Sequence, residues 1–275
     1  MLNVFSIGNG KDYELTRENF IQKTHKQFPF YQDAKKYENP YFAICPACNN
    51  PIQIINLFGA QYREETTGKT NMHGRHFLRD IKGLPKYNQL NYDGCPLHKP
   101  TAFKIAKIRE NKLVNEEIKK LIEDNRRKLA SDIRDITGIL LKNERIYQMI
   151  DDYIVAKDYC YTHTNKYNIP YSILYTRKAI KLFGQRIGST ELGEKIHLAI
   201  KENSENFDVK ERRIIKKVDE FVLPYLLVSN HRINGSKQYM TICIEENSEH
   251  NDTRCIFREE IEMKQYIYLL KKDTE

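Results

Sequence analysis

The sequence predicts an α+β protein. A small N-terminal module would cover residues 1–100, followed by a mainly helical domain over residues 101–275 that ends in a small β element. Three observations support this prediction. Cysteine and histidine pairs bracket the second half of the module, apolar residues then recur at helical spacing, and β-branched residues gather near the end of the chain.

Two short turns with metal-ligating side chains define the N-terminal module. One reads C-P-A-C from Cys45 to Cys48, and the other reads C-P-L-H from Cys95 to His98. Two ligands on one tight turn can hold one edge of a metal tetrahedron, and structural zinc takes four S and N ligands from two such pairs. We therefore predict a Zn²⁺ site formed by Cys45, Cys48, Cys95 and His98. Buried inert cysteines and a disulfide are the alternatives.

Two further histidines lie between these turns, at His73 and His76. Either could replace His98 as the fourth zinc ligand, because neutral imidazole binds zinc through a ring nitrogen. Residues 49–94 make a longer gap than the roughly 12–20 residues of common zinc modules. We therefore expect folded structure within the gap, including a strand over residues 52–57.

The order of these motifs resembles a known family of enzymes. A CxxC pair, a histidine cluster, Asn88 and a second knuckle ending in His98 are similar to the zinc-knuckle HNH endonucleases. That resemblance implies that His76 is a general base, Asn88 an orienting amide and His98 a ligand of a catalytic metal. The second knuckle departs from the family pattern, because His98 stands where a cysteine is expected. More generally the module resembles bacterial zinc-ribbon or treble-clef nucleic-acid-binding modules, which implies binding without catalysis.

Apolar stripes predict the helices of the second domain. Helical spacing runs through residues 129–140 and again through residues 146–153, with a break near Gly138 or Asn143. Further predicted helices start at Asn168, near Glu191 and at Asp208, and a closing helix covers residues 263–270, with a strand as the alternative for this last segment. The strands predicted near the end of the chain, paired across a polar loop, are Tyr239–Ile244 and Arg254–Phe257.

The charge balance favours an anionic partner. The net charge is +8 and the pI is about 9.0, so nucleic acid is the first expectation. The densest supply of basic side chains lies on two predicted helices, which begin at Asn168 and Asp208. The residues that we predict to contact phosphates are Arg177, Lys178, Lys181, Arg212, Arg213, Lys216 and Lys217.

Composition limits the class of protein. The chain has 275 residues, a mean hydropathy of −0.68 and no apolar run near the roughly 18 residues of a membrane span. Residues 1–10 lack the pattern of a secretory signal, so we expect a cytoplasmic protein, in which paired cysteines favour metal over disulfide. The predicted function is a zinc-containing nucleic-acid-binding protein of bacterial or phage type. The alternatives are an HNH-like nuclease that uses His76 with a second metal, and a protein-binding adaptor or inhibitor with a surface rich in its 18 tyrosines.

Overall fold

The computed structural model describes residues 1–58, 72–105, 107–177, 179–217, 222–247 and 253–270. The chain divides into two units. The first unit contains Met1–Thr101 with two short later segments, Ile233–Lys237 and Lys264–Ile267. The second unit contains Ala102–Arg232, Gln238–Met263 and the chain from Tyr268 onward. Helices account for 30% of the described residues and strands for 28%.

An antiparallel sheet of five strands, in the order β2-β1-β3-β4-β5, forms the first unit. The strands are Val4–Ser6 (β1), Asp12–Glu14 (β2), Phe42–Ile44 (β3), Pro51–Ile55 (β4) and His73–His76 (β5). Helix α1, Arg17–Thr24, begins after Thr16, whose side chain accepts from the Asn19 N–H, and a short helix α2 covers Gln89–Asp93. The interior between the sheet and α1 is aromatic, because Phe5 and Phe20 are fully buried with ring centroids 5.4 Å apart.

The described part of the second unit contains five α-helices and one short 3-10 helix, Asp158–Cys160. The α-helices are Lys112–Asp124 (α3), Arg126–Thr137 (α4), Asn143–Val155 (α5), Ile169–Thr176 (α6) and Glu191–Asn203 (α7). The predicted apolar stripes are confirmed by burial in α4 and α5, except that Leu140, the last residue of the first stripe, lies beyond α4 and is 47% exposed. The predicted break is also confirmed, since Gly138 ends α4 in the left-handed conformation, with φ at 68°. No helix in the described ranges is long and apolar enough to cross a bilayer.

Two antiparallel sheets complete the second unit, in the orders β6-β8-β10-β9 and β13-β12-β11-β7. Their strands are Ile139–Leu140 (β6), Ile180–Lys181 (β7), Arg186–Ile187 (β8), Phe207–Lys210 (β9), Arg213–Lys216 (β10), Leu223–Asn234 (β11), Lys237–Asn247 (β12) and Thr253–Glu262 (β13). The predicted pairing near the end of the chain is confirmed, with Ile244 opposite Phe257 and Glu246 opposite Arg254. The strands are longer than predicted.

The predicted fold class is wrong, because the chain after residue 100 is not a mainly helical domain. The helix predicted from Asp208 is instead the hairpin β9–β10. Glu211 and Arg212 form its turn at positive φ, 50° and 63°, and alternate burial of Phe207 and Val209 fits a strand. The helix from Asn168 ends at Thr176 rather than continuing, and residues 263–270 form neither a helix nor a strand.

Candidate metal centre

The first ligand turn links β3 to β4. The Cys45 N–H donates to the Asn50 carbonyl at 2.8 Å, and the Asn49 N–H donates back to the Cys45 carbonyl at 2.9 Å. Asn49 closes the turn with φ at 59°, a left-handed conformation that asparagine tolerates better than most residues. The thiols of Cys45 and Cys48 are therefore held by backbone hydrogen bonds and are 0% and 6% exposed.

The second ligand turn follows α2. The Cys95 N–H donates to the Tyr92 carbonyl at 3.1 Å. The N–H groups of His98 and Lys99 both donate to the Cys95 carbonyl, at 3.0 and 2.8 Å. This arrangement fixes the backbone around Cys95, which is 1% exposed.

A histidine reaches the same place through strand pairing. β5 pairs antiparallel with β4, and His76 lies opposite Ile52, close to the first ligand turn. Gly74 permits this close approach, because a Cβ at that position would lie 3.2 Å from Ile52 Cδ1 and 3.3 Å from Leu2 Cβ. The sheet thus places a His76 ring nitrogen beside sulfurs that lie far from it in sequence.

Four side chains form a compact set of candidate ligands. The ligand atoms of Cys45, Cys48, His76 and Cys95 all lie within 4.8 Å of one another. Cys45 Sγ lies 3.8 Å from Cys95 Sγ, and His76 Nε2 lies 3.4 Å from Cys48 Sγ and 3.7 Å from Cys95 Sγ. Zinc bonds of about 2.3 Å to sulfur and 2.0–2.1 Å to nitrogen give tetrahedral edges of about 3.8 Å for S···S and about 3.6 Å for S···N. The spacing of the donor atoms therefore suits a zinc-sized ion.

Of the three histidines considered as the fourth ligand, His76 joins this group and His98 and His73 do not. The His98 ring stacks on Tyr92, with ring centroids 3.8 Å apart, and its centroid lies 5.9 Å from that of His76. His73 and His98 line a pocket of about 210 Å³ beside the cysteine–histidine group. The residues that line it are Met1, Leu2, His73, Gly74, Arg75, His76, Tyr92, His98 and Ser236.

The electrostatics of the thiols favour a bound cation. The hydrogen bond between Cys45 and Cys48 raises the pKa of the Cys45 thiol and lowers the pKa of Cys48. Three thiolates at these distances would repel one another, so complete deprotonation requires a positive ion among them.

A buried amide that the sequence reading passed over supports the centre. Asn50 is 1% exposed, and its Nδ2 donates to Cys48 Sγ at 3.4 Å and to the Asn88 carbonyl at 3.0 Å. Its Oδ1 accepts from the Asn88 N–H at 2.6 Å. Asn50 thus joins the first ligand turn to the segment that leads into the second. The signal in the sequence was the pair Asn49-Asn50 directly after Cys48.

Asn88 itself has a structural position. Its side chain caps α2 by accepting from the Asn91 N–H at 2.9 Å. His76, the residue to which the HNH resemblance gave the role of general base, has its Nε2 among the sulfurs. The geometry favours a ligand role for His76 and a capping role for Asn88.

Several of the predicted phosphate-binding residues contact protein groups. Arg177 follows α6 and forms ion pairs with Asp152 at 3.5 Å and Asp158 at 3.0 Å. Lys217 Nζ donates to the Ser204 carbonyl at 2.8 Å. Lys178 lies outside the described residues.

The other predicted residues lie on strands or turns instead of helices. Arg212, in the turn of β9–β10, donates to the carbonyls of Ile187 and Gly188 and pairs with Glu194 at 2.9 Å. Lys181 is exposed in β7. Lys216 belongs to β10 and lies 5.7 Å from the centre of the Phe183 ring. The two helices that were predicted to carry a joint basic surface therefore do not both form.

Strand pairing creates a different basic surface, to which Arg213 does belong. Arg213 lies directly opposite Arg186 on one side and Lys210 on the other. All three residues are exposed, and side chains directly opposite each other share one face of a sheet. We call these three residues the cationic row. The sequence reading missed Lys210 because it placed this segment in a helix.

Comparison with known proteins adds no family to this picture: no family model, curated protein or solved structure matches the chain. Function is therefore inferred from the cysteine–histidine group and from the distribution of charge.

Proposed function

We propose that the chain binds one zinc ion through Cys45, Cys48, His76 and Cys95. The observation that carries this proposal is the grouping of four donor atoms within 4.8 Å of one another, in which the Cys45–Cys95, Cys48–His76 and Cys95–His76 distances of 3.4–3.8 Å match the edges of a zinc tetrahedron, about 3.6–3.8 Å. Four protein ligands close the coordination sphere and leave no position for substrate, so the zinc is structural. It ties the β3–β4 turn, the end of β5 and the turn after α2 together.

Metal analysis of the purified chain tests this proposal. We expect about one zinc per chain, because all four donors are preformed and three are buried cysteines. The measurement is elemental analysis against protein concentration, together with native mass spectrometry. Protein that stays metal-free after zinc is supplied to the reduced chain would contradict the proposal.

We further propose that the protein binds nucleic acid and that the cationic row contacts the phosphates. Like charges directly opposite each other on a sheet are destabilising. Within the part of the chain that the structure describes, none of the three side chains forms an ion pair with a carboxylate. An anionic partner would remove the repulsion among these three side chains. The net charge of the chain, +8, is also positive and favours the same kind of partner.

Salt dependence distinguishes this surface from net charge alone. Each phosphate contact contributes about 0.7–0.9 to the log–log slope of affinity against salt. We expect the double substitution Arg186→Ala and Arg213→Ala to weaken binding and to flatten that slope by about 1–2 units. The measurement is fluorescence anisotropy with short single- and double-stranded DNA and RNA over a range of salt concentrations.

A matched control removes the same charge elsewhere. Arg232 and Arg254 are paired with Glu260 and Glu205, so replacing both with alanine should leave the slope close to wild type. Equal losses in the two double variants would contradict the role of the cationic row. Absence of any nucleic-acid binding by the wild-type chain at physiological salt, with a co-purifying protein, would favour the adaptor alternative.

A metal-dependent nuclease is the weaker alternative. A nuclease of this kind needs the His76 imidazole as a general base that no metal occupies. His76 Nε2 instead lies 3.4 Å from Cys48 Sγ and 3.7 Å from Cys95 Sγ, in the position of a zinc ligand. Such a nuclease also needs the Asn88 amide, which caps a helix. Cleavage of the nucleic acid with added Mg²⁺ in the binding assay would revive it.

A further inference from the structure

Two cysteines outside the metal centre lie against each other on neighbouring strands. Cys243 is in β12 and Cys255 is in β13, and their Sγ atoms are 3.1 Å apart. Both are free thiols. A disulfide bond is about 2.05 Å long, so the sulfurs need to approach by only about 1 Å.

The register of the hairpin explains why the two thiols meet. The pairing of β12 with β13 shifts between Ile244 and Glu245, which places Glu245 opposite Cys255 and Arg258 opposite Cys243. A bulge of this kind tightens the local twist and redirects side chains. The strands were predicted to pair, but the contact between the two thiols depends on the exact register of the hairpin, which was not predictable from sequence.

The two thiols have complementary exposure. Cys255 is exposed, whereas Cys243 is 3% exposed. Burial raises the pKa of the Cys243 thiol to about 12. The Arg258 guanidinium interacts with both sulfurs, and a neighbouring cation stabilises a thiolate. A reagent from solvent therefore reaches the Cys255 sulfur first. The buried Cys243 sulfur lies 3.1 Å from it.

We propose that Cys243 and Cys255 form an oxidation site that closes to a cross-strand disulfide with a hydroperoxide as the oxidant. The Cys255 thiolate attacks the terminal oxygen of the hydroperoxide and keeps it as a sulfenic acid, while the O–O bond breaks and the other oxygen leaves, after protonation, as water or an alcohol. The Cys243 sulfur then attacks the Cys255 sulfur and expels water. Two thiols lose two protons and two electrons, the O–O bond is reduced, and one S–S bond forms.

The product joins β12 to β13 covalently, and a thiol reductant reverses it by exchange. This site is separate from the zinc ligands, because neither sulfur belongs to the group of Cys45, Cys48, His76 and Cys95. The disulfide therefore forms in the zinc-loaded chain without using a metal-bound thiolate.

Peptide mapping of the intact chain tests the proposal directly. The zinc-loaded protein is treated with hydrogen peroxide, alkylated without reduction and digested with trypsin. Trypsin cuts after Lys237, Arg254 and Arg258, so Cys243 falls in peptide 238–254 and Cys255 in peptide 255–258. We expect these two peptides as one linked species, lighter by two hydrogens than their sum, which separates on reduction with dithiothreitol.

Variants fix the assignment. Cys255→Ser should abolish the linked species, whereas Cys160→Ser, at a cysteine that lies elsewhere on the chain, should leave its yield unchanged. Peptides that stay unlinked in the wild type, whether Cys255 remains reduced or proceeds to sulfinic or sulfonic acid, would overturn the proposal. So would linkage of Cys243 mainly to a cysteine other than Cys255.

Discussion

Replacing Cys95 with serine is expected to remove the zinc and to unfold the sheet around it. Structural zinc contributes about 10–16 kcal/mol in zinc-finger peptides, which equals or exceeds the roughly 5–15 kcal/mol that stabilises a whole domain. Cys95 is 1% exposed and belongs to the turn after α2. Its loss separates that turn from the first ligand turn. Elemental analysis and hydrogen exchange of the β3, β4 and β5 amides provide the measurement.

The control for this variant is Cys160→Ser, which removes a thiol that is not part of the metal centre. It should keep one zinc per chain and the protection of β3–β5. Full zinc occupancy in Cys95→Ser would show that the thiolate is not a ligand. Protection of the α4 and α5 amides serves as an internal reference, because those helices have their own buried stripe.

Replacing His76 with alanine should weaken zinc binding far more than replacing His98. Loss of a residue that only supports a ligand typically costs 10–100-fold in metal affinity, so the loss of a ligand should cost more than that. His98→Ala should keep the zinc and lose only the stacking on Tyr92, an effect of the order of an aromatic pair, about 0.5–1.5 kcal/mol. Competition with a chromophoric chelator measures both affinities, and thermal unfolding measures the stacking.

The two histidines form a matched pair, because they lie in the same unit with ring centroids 5.9 Å apart. A larger affinity loss in His98→Ala than in His76→Ala would reverse the assignment and restore the ligand set expected from sequence. Equal and small losses would mean that neither imidazole binds the ion.

Helices α4 and α5 were predictable from the sequence, whereas the helices predicted from Asp208 and over residues 263–270 do not form. Each of α4 and α5 buries a stripe with helical spacing, and Gly138 ends α4 in a conformation that glycine favours. The hairpin β9–β10 was not predictable in the same way. Glu211 and Arg212 in its turn have positive φ, which residues of those types seldom adopt. In addition, Asp208 followed three residues later by Glu211 matches the pattern of a helix N-terminus equally well.

The metal centre was predictable in its cysteines and not in its fourth ligand. Local spacing places Cys45 beside Cys48, and the two turns are recognisable from sequence. The position of His76 depends on the pairing of β5 with β4, a contact between distant parts of the chain. His98 has the spacing of a ligand, yet its ring packs on Tyr92. The cationic row was unpredictable for the same reason, because Arg186, Lys210 and Arg213 come together only through the pairing of β10 with β8 and β9.

Zinc K-edge X-ray absorption on the wild-type protein tests the central claim most directly. A ligand set of Cys45, Cys48, His76 and Cys95 predicts three sulfurs at about 2.3 Å and one nitrogen at about 2.0–2.1 Å, with the outer-shell scattering of a single imidazole. A first shell of two sulfurs and two nitrogens, or of four sulfurs, would contradict it.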